Sequence, residues 1–230
     1  AARIAKIASV EGVGSLVHIS AIGADVDAES EYARTKGLGE VAIRSVFPSA
    51  VILRPSVVFG PEDQFFNRFA SMARMSPVLP LFGAGSKFQP VYVDDLAHAA
   101  ELALLGRAEA GVYELGGPDV HEFRELMAIM CDVVRRRRLV IGLPNWVGKV
   151  VAYVSGAGSF LTGGLAPQPI THDQLIQLQS DNVVESDAKT FADLGIQPSA
   201  LDAVLPSYLW QFRQDGQYSD ITHSAKNLRG

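Results

Sequence analysis

The sequence predicts an α/β protein built on a parallel, doubly wound sheet, followed by a smaller and mainly helical lobe. In the first part of the chain, short and nearly continuous apolar runs alternate with amphipathic segments, as expected for strands that crossover helices bury on both faces. From Gly117 onward this alternation stops, and glycine- and proline-rich loops separate helical segments. We therefore divide the chain into a sheet domain at 1–117, in which 61–90 extend toward the second lobe, and a second lobe with its tail at 118–230.

The elements follow in order from apolar periodicity and from helix-ending residues. Ser15–Ser20 is a short apolar run after two glycines, which predicts a strand. Glu31–Phe47 has apolar residues at helical spacing and is followed by Pro48, which predicts an amphipathic helix. Pro77 and Pro80 interrupt the pattern further on. The remaining predicted elements are strands at Ala50–Leu53, Val91–Val93 and Val112–Leu115, and helices at Gln64–Met75 and from Asp94 to Leu105.

Composition narrows the function classes. The chain has 230 residues, of which 48% are hydrophobic and 20% charged, with a formal net charge of −5. This is the profile of a globular chain with one sizeable core, and it gives no electrostatic reason to bind nucleic acid through the chain as a whole. The basic run Arg135–Arg138 is interpreted first as a solvated helix end and second as a phosphate or lipid-headgroup contact.

Three further features concern cysteine, metals and membranes. Cys131 is the single cysteine and stands in an apolar stretch, which predicts a buried thiol rather than a nucleophile. Because neither C-x-x-C nor H-E-x-x-H occurs, we expect no metal site. Trp146–Leu165 carries only Lys149 as a charge, but its glycines favour a partly buried or membrane-surface helix over a membrane span.

Tyr32 and Lys36 form the chemically distinctive pair of this sequence. They lie four residues apart on the first long predicted helix, so they share one helix face. A tyrosine phenol is a poor acid or base at neutral pH, and a neighbouring ammonium lowers its pKa. Because loops at the carboxyl ends of parallel strands line the ligand crevice, the helix, the strand end at Ser20 and the segment after Arg54 are expected to converge there. The alternative is that Tyr32 packs and Lys36 is solvated.

Six segments of the chain are distinctive together: VHISA, YARTK, LRPSVVFGPED, FFNRFA, FQPVYVDDLA and YELGGP. Through them the sequence resembles the atypical extended short-chain dehydrogenase/reductases, and within them the NADPH-binding accessory subunits of respiratory complex I and their bacterial relatives. The resemblance covers nearly the whole chain. Tyr-x-x-x-Lys is the general superfamily element, whereas FGPEDQFFNRFA and FQPVYV are more specific to this group.

The resemblance implies a Rossmann fold and a set of site residues. Tyr32 and Lys36 match the active pair of the superfamily, and Lys36 would also bind ribose hydroxyls of the cofactor. Pro55, Val57 and Val58 match a strand-end segment that packs on the nicotinamide, and Ser20 matches a strand-end serine beside the cofactor. NADP(H) is the cofactor that the resemblance favours, with NAD(H) as the alternative.

Two positions depart from the active enzymes of this superfamily. Where those enzymes hold the substrate oxygen with a Ser or Thr, this chain has Ala21, and Ser20 lies one residue early. Where nucleotide-sugar enzymes bind the substrate diphosphate with an Arg, it has Phe88, preceded by Lys87. Gly83 and Gly85 do not replace the glycine-rich dinucleotide loop. We expect the half of the Rossmann domain that carries this loop to precede Ala1.

These departures favour a cofactor-holding accessory subunit of respiratory complex I in which the dinucleotide is mainly structural. The alternative is an active epimerase, dehydratase or reductase on a nucleotide sugar or a hydrophobic carbonyl compound. A regulatory dinucleotide sensor is a third class. The resemblance implies complex I subunits as partners, with a peripheral membrane contact, on the matrix side of the inner membrane in mitochondria or the cytoplasmic side in bacteria. The second lobe, with Trp146–Leu165, Pro167–Pro169 and Leu205–Phe212, is the predicted docking region, or else it closes over the crevice as a substrate lobe.

Overall fold

A computed structural model describes residues 1–144, 146–148, 171–214 and 216. Two short 3₁₀ helices lie at Phe191–Leu194 and Trp210–Phe212. The α-helices are α1 (Ala2–Val10), α2 (Glu31–Val46), α3 (Phe66–Met75), α4 (Val93–Leu104), α5 (Phe123–Val133), α6 (His172–Gln179) and α7 (Leu201–Leu209). The strands are β1 (Val17–Ile19), β2 (Val51–Pro55), β3 (Val58–Phe59), β4 (Val78–Phe82), β5 (Lys87–Phe88), β6 (Val91–Tyr92), β7 (Gly111–Leu115), β8 (His121–Glu122) and β9 (Leu139–Leu143).

The central sheet is parallel, with the strand order β1-β2-β7. On one of its faces Val51 and Leu53 of β2 share an apolar cluster with Leu96 and Ala99 of α4. A second cluster joins α1 and α2 beside the start of β2. Strands connected by helices and paired in parallel confirm the predicted doubly wound α/β class.

Local sequence explains why α2 begins and ends where it does. The side chain of Ser30 caps the helix, because its Oγ accepts a hydrogen bond from the N–H of Ala33 at 3.3 Å. The helix ends at Val46, two residues before Pro48. Its buried positions Gly37, Glu40 and Ile43 lie on one face. Because α2 begins at Glu31, Tyr32 and Lys36 lie in its first two turns.

The largest apolar cluster joins the segment after β2 to the second lobe. Phe66 and Ala70 of α3, Met127 and Met130 of α5, and Leu205 of α7 are all buried in it. The same two parts of the chain also pair as strands, since β4 pairs with β9 in parallel and β5 with β8 in antiparallel fashion. The domain boundary at 117 and the extension of 61–90 toward the second lobe stay predictions.

Several predicted elements differ from those observed. The strand predicted to end at Leu53 continues to Pro55, whose carbonyl accepts the N–H of Ile22 at 3.1 Å. Val93 starts α4 instead of ending a strand. Pro80, which interrupts the sequence pattern, lies inside β4, because both strands of a two-stranded sheet are edges and edges tolerate proline. The described part of the second lobe contains β8 and β9 beside its helices.

The predicted docking segments are only partly described. Of Trp146–Leu165, residues 146–148 are described, and Pro167–Pro169 lies outside the described residues. Leu205–Phe212 presents one face to the core and one to the surface, since Leu205 and Leu209 are fully buried while Trp210 is 38% exposed. Within the described ranges, no helix has the length and apolar character needed to cross a membrane.

Candidate functional site

Tyr32 and Lys36 lie together at the carboxyl end of β1. The Nζ of Lys36 donates a hydrogen bond to the carbonyl of Ile19, the last residue of β1, at 3.3 Å. The same Nζ lies 5.6 Å from the centroid of the Tyr32 ring, within the range of a cation–π contact. The pair therefore occupies the sheet edge at which ligands bind in doubly wound folds.

The electrostatics of Tyr32 differ from the sequence prediction. Tyr32 is 44% exposed, and partial burial raises the pKa of its phenol above the ordinary value. The prediction was that Lys36 would lower the pKa of Tyr32. In this structure the pKa is raised instead, and burial is the cause.

The segments after β1 and β2 form one continuous edge. The backbone N–H of Ser20 donates to the carbonyl of Leu53 at 2.7 Å, and the N–H of Ser56 donates to the carbonyl of Leu115 at 2.9 Å. Pro55 is buried at the end of β2, while Val57 and Val58 are half-buried. Val58 lines a cavity of about 370 Å³ together with Phe59, Gly60, Pro61, Glu62, Asp63 and Val93. The structure thus places Pro55 at the end of β2, Val57 shortly after it and Val58 at the start of β3. Their contact with a nicotinamide stays a prediction.

Ser20 is buried, and its hydroxyl is used inside the protein. The Oγ donates to the carboxylate of Glu40, and Ser20 is 3% exposed. The backbone of Ser20 lies at the strand end, but its hydroxyl points into a buried polar network. This hydroxyl therefore does not replace the donor that Ala21 lacks.

Sequence reasoning missed that buried network. Arg54 donates from Nε and one terminal nitrogen to both oxygens of Glu40, at 2.9 and 2.8 Å, and from the other to Glu114 at 3.3 Å. The network joins α2, β2 and β7. Glu40 follows Lys36 by one helical turn, and Arg54 is the charged residue within the apolar strand VILRP. The positions of Glu40 on the helix and of Arg54 in an apolar strand are the sequence signals from which this network could have been predicted.

A second missed residue contacts the start of α2 from the second lobe. The carboxylate of Asp173, in α6, accepts hydrogen bonds from the backbone N–H groups of Glu31 and Tyr32. The contact spans more than 140 residues of sequence. No local spacing rule could have indicated it.

Phe88 occupies an aromatic cluster and is only 4% exposed. Its ring centroid lies 5.5 Å from that of Phe123 and 6.1 Å from that of Phe65. A buried aromatic ring offers no donor to a diphosphate. This packing disfavours the nucleotide-sugar alternative.

The remaining candidate groups have structural roles in the described residues. Arg136 donates to the carbonyl of Phe212 at 2.9 Å, and Arg138 donates to the carbonyl of Ala73 at 2.6 Å. Cys131 is buried, and this burial raises the pKa of its thiol. The part of the chain that the structure describes holds no group of three or more His, Cys, Asp or Glu side chains arranged to bind a metal ion.

Comparison with known sequences gives relatives over almost the whole chain, although no family model matches. NADH dehydrogenase (ubiquinone) 1 alpha subcomplex subunit 9 of Arabidopsis thaliana is 34% identical over 98% of this chain and 58% of its own length. The NADH-ubiquinone oxidoreductase 40 kDa subunit of Neurospora crassa is 31% identical over 95% of this chain and 56% of its own. A ceramide reductase of Caulobacter vibrioides is 31% identical over 63% of this chain and 46% of its own. The chain thus spans little more than half the length of the first two relatives.

Solved structures with the same fold include sugar-nucleotide enzymes. A UDP-glucose 4-epimerase of Thermotoga maritima superposes with a TM-score of 0.60 at 17% identity, over 92% of this chain and 67% of the epimerase. A dTDP-4-dehydrorhamnose reductase of Bacillus anthracis in complex with NADP superposes with a TM-score of 0.57 at 15% identity, over 90% of this chain and 68% of the reductase. At such low identity the likeness shows the fold, which is the Rossmann type that the sequence predicts.

Proposed function

This chain is homologous to NADH dehydrogenase (ubiquinone) 1 alpha subcomplex subunit 9, and from that premise we propose that it holds a nicotinamide dinucleotide, NADP(H) by preference, in an accessory subunit of respiratory complex I. The observation that carries the proposal is the Tyr32–Lys36 pair at the carboxyl end of β1. It lies where a Rossmann fold binds its dinucleotide.

The residues at this edge fit such a group. An ammonium can donate three hydrogen bonds, and Lys36 directs one of them to Ile19, so it keeps donor capacity for ribose hydroxyls. The half-exposed phenol of Tyr32 lies beside it. Pro55, Val57 and Val58 offer an apolar strand end against which a nicotinamide ring would pack. When bound, the nicotinamide supplies hydride transfer chemistry.

A mainly structural role for the cofactor is supported by the absence of a substrate-orienting donor at the expected place. Ala21 has no hydroxyl, and the hydroxyl of the adjacent Ser20 donates to Glu40. Losing one oriented donor of this kind lowers a rate by about 10²-fold or more. Holding the dinucleotide at this edge needs no such hydroxyl, and Tyr32, Lys36 and the strand ends are retained.

The proposal is tested by measuring dinucleotide binding in the full-length protein. Lys36→Ala should weaken binding markedly, because the ribose contacts are lost. Lys189→Ala is the matched control, since Lys189 also lies over a tyrosine ring, 5.4 Å from the centroid of Tyr113. Retention of NADPH through gel filtration shows whether the cofactor stays bound. Fluorescence titration with NADPH gives the dissociation constants of the wild type and of each variant. Equal affinity of the Lys36→Ala variant and the wild type would refute the assignment.

An active reductase on a hydrophobic carbonyl compound is the second candidate. The observation that favours it is the 31% identity to a ceramide reductase. Tyr32→Phe separates the two functions, because it removes the phenol that reduction needs and leaves the accessory role. We expect the variant to support complex I assembly as the wild type does. A carbonyl reduction that the wild type catalyses and this variant loses would establish the enzyme instead.

We also propose that the second lobe docks on membrane-bound complex I subunits and contacts the membrane surface peripherally. Leu139 and Ile141 lie on one face of β9 with 61% and 39% exposure, and Trp146 shortly after them is 68% exposed. Apolar side chains exposed on one face of a strand support a partner surface there. This docking would take place on the matrix side of the inner membrane in mitochondria or on the cytoplasmic side in bacteria. Failure of the full-length protein to co-purify with complex I from gently solubilised membranes would contradict this docking.

A further inference from the structure

The amino end of α2 is held by a side chain from the second lobe. Asp173 accepts the N–H of Glu31 through Oδ1 at 2.7 Å and the N–H of Tyr32 through Oδ2 at 3.3 Å. These first-turn N–H groups have no acceptor inside their own helix. The capping hydroxyl of Ser30 accepts from Ala33, so Asp173 satisfies donors that the local cap does not.

The carboxylate of Asp173 is itself oriented by neighbouring groups. Gln177, one turn later on α6, donates from Nε2 to Oδ2 of Asp173 at 2.8 Å and to the Oγ of Ser30 at 3.3 Å. Burial raises the pKa of Asp173, but hydrogen bonds from Ser30, Glu31, Gln177 and Tyr32 outweigh it, and the net pKa is lowered. A negative charge is also favoured at a helix amino end by the helix dipole.

The segment that carries Asp173 is anchored separately to the sheet edge. Ser86 donates from Oγ to the carbonyl of Leu178 at 2.7 Å. Ser56, directly after β2, donates from Oγ to Oδ1 of Asn182 at 2.6 Å. These bonds fix the position of residues 173–182 independently of α2, so Asp173 can impose that position on the helix.

We propose that Asp173 is a positioning residue for the dinucleotide site, through which the second lobe fixes the first turn of α2 and the Tyr32 it carries. The inference rests on the proposed function and adds a dependence of the site on the second lobe. Tyr32 is bonded through its own backbone N–H, so a frayed first turn displaces its side chain directly. Lys36, a turn further along, bonds to β1 and should be displaced less.

The test uses the full-length protein with Asp173→Ala, with Asp173→Asn as a milder variant that keeps one acceptor oxygen. Asp181→Ala is the matched control, because Asp181 lies in the same segment and accepts the backbone N–H of Lys87 at 2.8 Å. Two quantities are measured: hydrogen exchange of the peptide covering 28–36, and the dissociation constant for NADPH. The exchange measurement needs no bound cofactor.

Asp173→Ala should accelerate exchange at Glu31 and Tyr32 and weaken NADPH binding by about two- to thirtyfold, the range that loss of a helix cap corresponds to. Asp173→Asn should fall between this variant and the wild type, and Asp181→Ala should leave both quantities unchanged. Wild-type exchange and affinity in Asp173→Ala, or equal losses in Asp181→Ala, would overturn the positioning role. Absence of NADPH and NADH binding in the wild type would instead overturn the proposed function.

Discussion

Arg54 is the residue whose removal should destabilise the fold most clearly. Its guanidinium bonds to both oxygens of Glu40 and to one oxygen of Glu114. The side chains of these carboxylates are only 6% and 4% exposed, against 23% for Arg54. Arg54→Met keeps an unbranched apolar stem of similar reach but leaves two carboxylates in the interior without their cation.

The magnitude follows from this burial. Removing one partner of a buried ion pair costs about 3–5 kcal/mol, since the remaining charge stays desolvated and uncompensated. With an m-value of about 2–3 kcal/mol/M in urea, the unfolding midpoint should fall by about 1–2.5 M. Hydrogen bonds from Ser20 to Glu40 and from the N–H of Glu185 to Glu114 remain, so the loss should lie toward the lower end of this range.

The assay is urea unfolding of the full-length protein, followed by circular dichroism. Lys189→Met is the control, because it removes an ion pair with Glu109 whose side chains are 39% and 85% exposed, and surface pairs contribute little to stability. Its midpoint should match that of the wild type. A loss of about 3 kcal/mol requires the urea midpoint of Arg54→Met to fall by about 1 M. If its midpoint instead lies within about 0.3 M of that of the wild type, the buried network does not stabilise the fold as argued.

Two further predictions concern a tight contact and the thiol. Gly83 has a φ of +66°, and a Cβ there would lie 1.9 Å from the carbonyl oxygen of Leu178. Gly83→Ala should therefore loosen α6 and speed proteolysis of that segment. Gly106→Ala is the control and should not do so, because Gly106 has a φ of +71° but nothing lies within 4 Å of its added Cβ. Equal proteolysis of the two variants would contradict this prediction. Burial raises the pKa of Cys131, so at pH 8 its thiol should react with a disulfide reagent slowly in the native protein and rapidly in urea, and equal rates would contradict its burial.

The sequence alone determined the α/β class, the helix that carries Tyr32 and Lys36, and the strand that ends beside them. Each depends on local rules: apolar periodicity and a proline stop act over a few residues and can be recognised along the chain. The four-residue spacing of Tyr32 and Lys36 likewise suffices to place both side chains on one helix face. The resemblance added the expected roles of Pro55, Val57 and Val58.

Only the tertiary structure decided what the polar groups around this pair do. The hydroxyl of Ser20 donates to Glu40, twenty residues away in sequence, and Glu40 in turn pairs with Arg54. Asp173 reaches Tyr32 from the second lobe, 141 residues further along the chain. A hydrogen bond between residues far apart in sequence depends on where the two groups meet in space, and no fixed sequence spacing indicates it. Strand order and lobe packing bring these partners together, and local periodicity does not encode either one.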